Sequence, residues 1–144
     1  MKKIIVLLSL LVSIFGYGQE STISMEEAKT LAVSESKSIV LIFSGSDWCA
    51  PCIKLDKTIV QTEEFKKASQ ESWVVVKADF PKKKANALAA EQQEANNKLA
   101  EKYNPEGSFP KVLLLNSNGD VLGILGYEKV TPSEYIEKLK AFIK

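Results

Sequence analysis

The sequence predicts an α/β fold, a central mixed sheet with helices on both faces. Three observations carry that prediction. Residues 38–43 and Trp73–Asp79 are short, continuous apolar runs rich in branched side chains, the signature of strands buried on both faces. Helical patterns separate these two runs, so they pair in parallel through a crossover. Lys111–Leu115 and Val121–Leu125 flank Asn116-Ser117-Asn118-Gly119-Asp120, and the Asn-Gly step marks an antiparallel hairpin.

The elements follow in order. Ser24-Met25-Glu26-Glu27 reads as a capping box, and Met25, Ala28, Leu31 and Ala32 recur at helical spacing, so a helix runs to about residue 36. Gly45, Ser46 and Asp47 end the first strand. Over residues 49–59, Cys52, Leu55 and Ile59 share one helical face, and Thr62-Glu63-Glu64-Phe65 opens another helical turn or two. After the second strand, Pro81 and the run Lys82-Lys83-Lys84 interrupt. The run is expected to be a solvated loop rather than a docking patch. Residues 85–103 are alanine-rich, with Leu88, Ala95, Leu99 and Tyr103 on one stripe, and predict one long helix. Asn104-Pro105-Glu106-Gly107 is a turn. Thr131-Pro132-Ser133-Glu134 is a second capping box with proline in the first turn. Tyr135, Ile136, Leu139, Phe142 and Ile143 then give the last helix its buried face. There are no repeats and no internal linker.

Met1-Lys2-Lys3, the 12-residue apolar run 4–15 and Gly16-Tyr17-Gly18-Gln19 read as a secretory signal peptide cut after Gly18. The run is short of the ~20 residues a bilayer-spanning helix needs. An uncleaved anchor is the plainer alternative. A lipid anchor would need a cysteine where Gln19 stands. Residues 19–144 then form one domain, expected to be a soluble monomer outside the cytosol, periplasmic or secreted, where disulfides persist. Losing Lys2 and Lys3 moves the net charge from +1 to −1, leaving 17 lysines against 18 acids. The chain has no arginine and no histidine, so it offers nucleic acid little to grip.

The only two cysteines stand in Trp48-Cys49-Ala50-Pro51-Cys52. Two thiols so spaced at a helix start can close a small disulfide ring and open again, which is redox chemistry. A purely structural bridge is a poor explanation, because a four-residue ring stabilises by only about 2 kcal/mol. Half a zinc site is present at most, with no histidine and no second cysteine pair. Ile53 follows Cys52 where c-type haem attachment needs histidine, and no serine or cysteine has a histidine to activate it. No cofactor or metal is therefore expected.

From Met25 to Lys144 the chain resembles the thioredoxin superfamily, and with its leader the exported bacterial thioredoxin-like proteins. The resemblance rests on Trp48-Cys49-Ala50-Pro51-Cys52 after a buried strand, Phe109-Pro110 before the third, the Asn118-Gly119 hairpin, Gly126 and the closing amphipathic helix. It implies a thioredoxin fold and a thiol–disulfide oxidoreductase. Cys49, at its helix N-terminus, is the nucleophile whose thiolate the unpaired N–H groups stabilise. Cys52, one turn further in and more buried, resolves the mixed disulfide. Pro51 costs no hydrogen bond in the first turn. Ala50-Pro51, with no histidine between the cysteines, resembles the reducing members, so a reductant is favoured over an oxidase or isomerase.

The resemblance also implies that Pro110 is a cis-proline against the sulfurs and that Phe109 pairs its backbone with substrate. Trp48 is either a cover for the sulfurs or ordinary core. Many relatives bury an acid six residues before the first cysteine. Phe43 stands there, leaving Lys77, which aligns with that acid's usual partner, as a snorkelling strand-edge residue and Asp47 as a solvated loop acid. The implied partners are disulfide-containing exported proteins and a membrane electron transporter. A peptide-binding or chaperone-like module with little turnover is the rival function.

Overall fold

In a computed structural model the described residues are 23–143, so the leader expectation lies outside them. The chain runs α1 (Met25–Ser34), β1 (Ser38–Ser44), α2 (Ala50–Leu55), a π-helical turn (Asp56–Val60), α3 (Glu63–Ser72), β2 (Trp73–Asp79), a 3-10 turn (Lys84–Asn86), α4 (Ala90–Tyr103), β3 (Lys111–Leu115), β4 (Val121–Leu125) and α5 (Pro132–Lys140). The sheet order is β2-β1-β3-β4. β1 and β2 are parallel, with Val40 opposite Val75. β3 is antiparallel to both β1 and β4, with Leu41 opposite Leu113 and Val112 opposite Leu125. This is the mixed sheet of a thioredoxin fold.

Alternation along β1 sorts the core into two layers. Val40 and Ile42 join Val112, Leu114, Leu55, Ile59, Phe65, Trp73, Tyr135 and Leu139, so α2, α3 and α5 cover one face. Ile39, Leu41 and Phe43 join Ala28, Ala32, Val76, Leu113 and Tyr103, so α1 and α4 cover the other. Each fully buried leucine or isoleucine contributes about 1.5–3 kcal/mol. Among the described residues no helix is long and apolar enough to cross a membrane.

Both capping boxes form. Ser24 Oγ accepts from Glu27 N while Glu27 accepts from Ser24 N, and Thr131 and Glu134 do the same for α5. α1 ends at Ser34, two residues short of the expected end. Ser36 turns left-handed at φ 54°, and the N–H groups of Ser36 and Lys37 return to the carbonyls of Val33 and Ala32. The helix at Thr62 runs to Ser72, longer than the expected turn or two.

The long helix expected over 85–103 is broken. Asn86 gives its side-chain amide to Asp47, Ala87 is extended at ψ 131°, and α4 starts only at Ala90. Alanine content favours helix everywhere in that stretch, and a distant carboxylate decides otherwise. In the hairpin, Gly119 sits at φ 91° and its carbonyl accepts the Tyr103 hydroxyl at 2.8 Å, where a Cβ would crowd that oxygen.

Hydrogen bonds hold the carboxyls of Glu27, Glu134, Asp47 and Glu106 below their ordinary range. The leading donors are the backbone N–H of Ser24, of Thr131 and of Lys82, and for Glu106 the Lys111 ammonium. A carboxyl depressed in the folded state stabilises fully above its unfolded pKa, and that stability is lost as pH falls through the folded value. The thermal midpoint is therefore expected to hold from pH 7 to pH 5 and to fall below about pH 4. Calorimetry across that range checks it, and a flat midpoint down to pH 3 would contradict it.

Candidate active site

The buried strand β1 runs into Gly45-Ser46-Asp47-Trp48, and that loop delivers Cys49 to the start of α2. Cys49 is the N-cap, with φ −95° and ψ 98°, and the N–H groups of Cys49 and Trp48 return to the Gly45 carbonyl at 2.9 and 3.3 Å. Cys49 and Cys52 form a disulfide with their Cα atoms 5.2 Å apart. The Cys52 N–H donates to Cys49 Sγ at 3.3 Å, so the capping acceptor of this helix is a sulfur. Ala50 and Pro51 fill the first turn, where proline removes no helical bond. Both cysteines are buried, Cys49 at 5% and Cys52 at 2% exposure, which makes Cys49 the more accessible.

Trp48 is 39% exposed, which excludes the ordinary-core reading. Its ring lies over Gly45, where any Cβ would overlap the indole. Its Nε1 donates to the Phe80 carbonyl at 2.7 Å. Phe109 meets the Trp48 ring edge-on at 5.5 Å and the Phe80 ring at 5.6 Å. The Phe109–Pro110 peptide bond is cis. The sequence-predicted residues Trp48, Cys49, Ala50, Pro51 and Cys52 thus lie on one loop and helix start, and the Trp48–Phe109 contact brings Phe109 and Pro110 alongside.

Three expectations are sharpened or corrected. Asp47 is a half-exposed loop acid as expected, but it is not idle. Its carboxylate accepts from the N–H of Lys82 (2.9 Å), the N–H of Lys83 (3.0 Å) and Asn86 Nδ2 (3.0 Å), fastening the lysine loop to the redox loop. These donors, Lys82 first, hold its carboxyl below the usual range. Lys77 is on an edge strand as expected but is ion-paired, its Nζ 3.3 Å from Asp56 Oδ1.

The third correction concerns Phe43, which does not face Cys52. It is fully buried on the α1–α4 side of the sheet, while its neighbours Ile42 and Ser44 line a cavity of about 370 Å³ with Cys52, Asp56, Lys77 and Asp79. Successive strand residues face opposite ways, so counting six back from Cys49 lands on the wrong face.

Cys52 and Asp56 are four residues apart on one helical run, a spacing that places side chains one above the other. Asp79 accepts from Ser46 N at 2.9 Å and Ser46 Oγ at 2.5 Å. The cavity under Cys52 is therefore ionisable, though β1 supplies no acid to it.

Sequence reasoning missed the clamp on the Phe109–Pro110 loop. Lys111 is buried, and its ammonium donates to the Tyr103 carbonyl (2.8 Å) and to Glu106 Oε1 (2.5 Å). Asn104 exchanges two hydrogen bonds with the backbone of Ser108, both 2.9 Å. A buried cation needs such partners to be tolerated. The only signal was a lysine opening an otherwise apolar strand.

A family model described as a thioredoxin-like domain matches residues 25–143. The chain is similar to the disulfide bond reductase DsbH of Chlamydia pneumoniae, 35% identical over 121 residues, which are 84% of this chain and 71% of that protein. A solved DsbH oxidoreductase superposes with a TM-score of 0.78 at 32% identity, covering 85% of this chain and 83% of that one. A thioredoxin from Thermus thermophilus, 15% identical, superposes with a TM-score of 0.60 over 82% of each chain and shares the fold.

Proposed function

The chain belongs to the thioredoxin-like family and is a thiol–disulfide oxidoreductase, and from that premise we propose that it reduces disulfides in exported polypeptides. The observation that carries the reading is the Cys49–Cys52 disulfide at a helix start, with the Cys52 N–H aimed at the Cys49 sulfur. In the reduced protein that N–H stabilises a thiolate on Cys49. The Cys49 thiolate attacks one sulfur of a substrate disulfide, a mixed disulfide forms, and one substrate thiolate leaves. Cys52 then gives up its proton to a carboxylate of the cavity wall, Asp56 or Asp79, and attacks Cys49 Sγ. The second substrate thiolate leaves, the ring closes, and two electrons have passed to the substrate. Exposed Trp48, with Phe109 beside it, receives the substrate chain, and Pro110 leaves the Phe109 backbone to pair with it.

Reduction rather than oxidation is supported by Ala50-Pro51, by the absence of histidine between the cysteines, and by the relative named a disulfide bond reductase. Residues 1–18 act as a removable leader that delivers the domain outside the cytosol, and a membrane electron transporter restores the dithiol. The exposed aromatic surface also supports peptide holding as a companion role.

The test is the reduction potential of the Cys49/Cys52 couple against glutathione, together with turnover of insulin disulfides with dithiothreitol as the electron source. A potential below about −200 mV with turnover is expected. A value near the −120 mV typical of strong oxidants would overturn the direction, and peptide binding without turnover would leave only the holding role.

A further inference from the structure

The segments that carry the disulfide, line the cavity beside it or meet the Trp48 ring are 45–60, 77–86 and 104–111. They hold seven lysines and four acids, a balance of +3, whereas the rest of the leaderless chain carries −4. The acids are turned to internal work. Asp47 takes the N–H groups of Lys82 and Lys83, Asp79 holds Ser46, Asp56 pairs with Lys77, and Glu106 pairs with Lys111. Lys54, Lys57, Lys82, Lys83 and Lys84 are all exposed, and among the described residues none of them is in an ion pair.

The lysine loop is fastened in place. Three hydrogen bonds from the loop end on Asp47, two residues before Cys49, and Lys82 Nζ stands 3.9 Å from the centroid of the Trp48 ring. A cation over an indole face is attracted by the ring quadrupole, which holds the Lys82 charge beside Trp48. A polypeptide approaching Cys49 across Trp48 meets this charge first.

We propose that Lys82, Lys83 and Lys84, with Lys54 and Lys57, form a docking rim for acidic substrates, so that the enzyme prefers disulfides flanked by aspartate and glutamate. The inference rests on the reductase reading above and names its substrate class. The rim works by steering. It raises the encounter rate of anionic chains and slows cationic ones, and salt removes the effect as the screening length drops from about 10 Å at 0.1 M to about 3 Å at 1 M.

The test uses the full-length mature protein, reduced beforehand, and two synthetic disulfide peptides identical except for aspartates or lysines beside the cysteines. At 20 mM salt the second-order rate for the acidic peptide is expected to exceed that for the basic one by about tenfold or more. At 1 M salt the ratio is expected to shrink to about twofold. Lys83→Gln with Lys84→Gln keeps the backbone donors to Asp47 and is expected to lower the low-salt ratio at least about threefold. Equal rates for the two peptides at low salt overturn the rim and leave the reductase standing, as does a ratio that salt does not change. Failure to reduce either peptide overturns the reductase reading beneath it.

Discussion

Cys52→Ser is expected to stop turnover while leaving the protein covalently attached to its substrate. Mixed with a disulfide peptide after reduction, this variant should accumulate a Cys49–peptide adduct, read as a mass shift that dithiothreitol reverses. Multiple-turnover reduction should fall by at least about a hundredfold, because nothing remains to attack Cys49 Sγ. Cys49→Ser should lose turnover to the same extent and form no adduct.

The asymmetry follows from two features. The Cys52 N–H points at the sulfur of Cys49, so the anion is stabilised there, and Cys49 is the more exposed of a buried pair. Rapid alkylation of reduced wild type at Cys49, with Cys52 reacting slowly, should accompany this result. Adduct formation at Cys52 in the Cys49→Ser variant, at the rate seen for Cys49, would reverse the assignment of roles. Turnover by Cys52→Ser would remove Cys52 from the cycle altogether.

How far the sequence could be read depended on whether a feature is local or arises between distant segments. β2, β3 and β4 fall where their apolar runs placed them, and both capping boxes form as spelled out by Ser24–Glu27 and Thr131–Glu134. Those signals act within a few residues. The redox pair was legible for the same reason, since Cys49 and Cys52 lie within one helical turn.

What the sequence concealed was decided at long range. Asp47 looks like any loop acid until the chain returns 35 residues later to offer it the Lys82 N–H. That one contact also breaks the alanine-rich helix expected at 85, because Asn86 is drawn into the same cluster. The π-helical turn at Asp56–Val60 has no sequence signature, yet it follows directly on the turn carrying Cys52 and contributes Asp56 to the cavity. Lys77 finds Asp56 across the fold for equally non-local reasons.

Phe43→Asp is expected to unfold the protein, although this change restores the acid that counting from Cys49 assigns to the position. The Phe43 ring is fully buried among Ala28, Leu41, Ala78 and Tyr103 and stacks near Phe80 at 6.5 Å. Truncating a buried phenylalanine costs about 3–5 kcal/mol. A carboxylate placed there adds the cost of a buried charge, because the cross-strand neighbour Lys111 already spends its ammonium on Glu106 and the Tyr103 carbonyl. Together these consume most of the roughly 5–15 kcal/mol that holds a domain of this size together. Far-UV circular dichroism with urea titration at pH 7 should show loss of the cooperative transition.

Ser44→Asp provides the contrast. Ser44 is one residue on, half-buried, and faces the cavity that Lys77 and Cys52 line, so a carboxylate there keeps access to solvent, which screens it from Asp79 directly opposite on β2. That variant should unfold cooperatively, with a loss of no more than about 2 kcal/mol. If Phe43→Asp proved as stable as Ser44→Asp, the two faces of β1 would have to be exchanged. The cavity under Cys52 would then be accessible to an acid at position 43 after all.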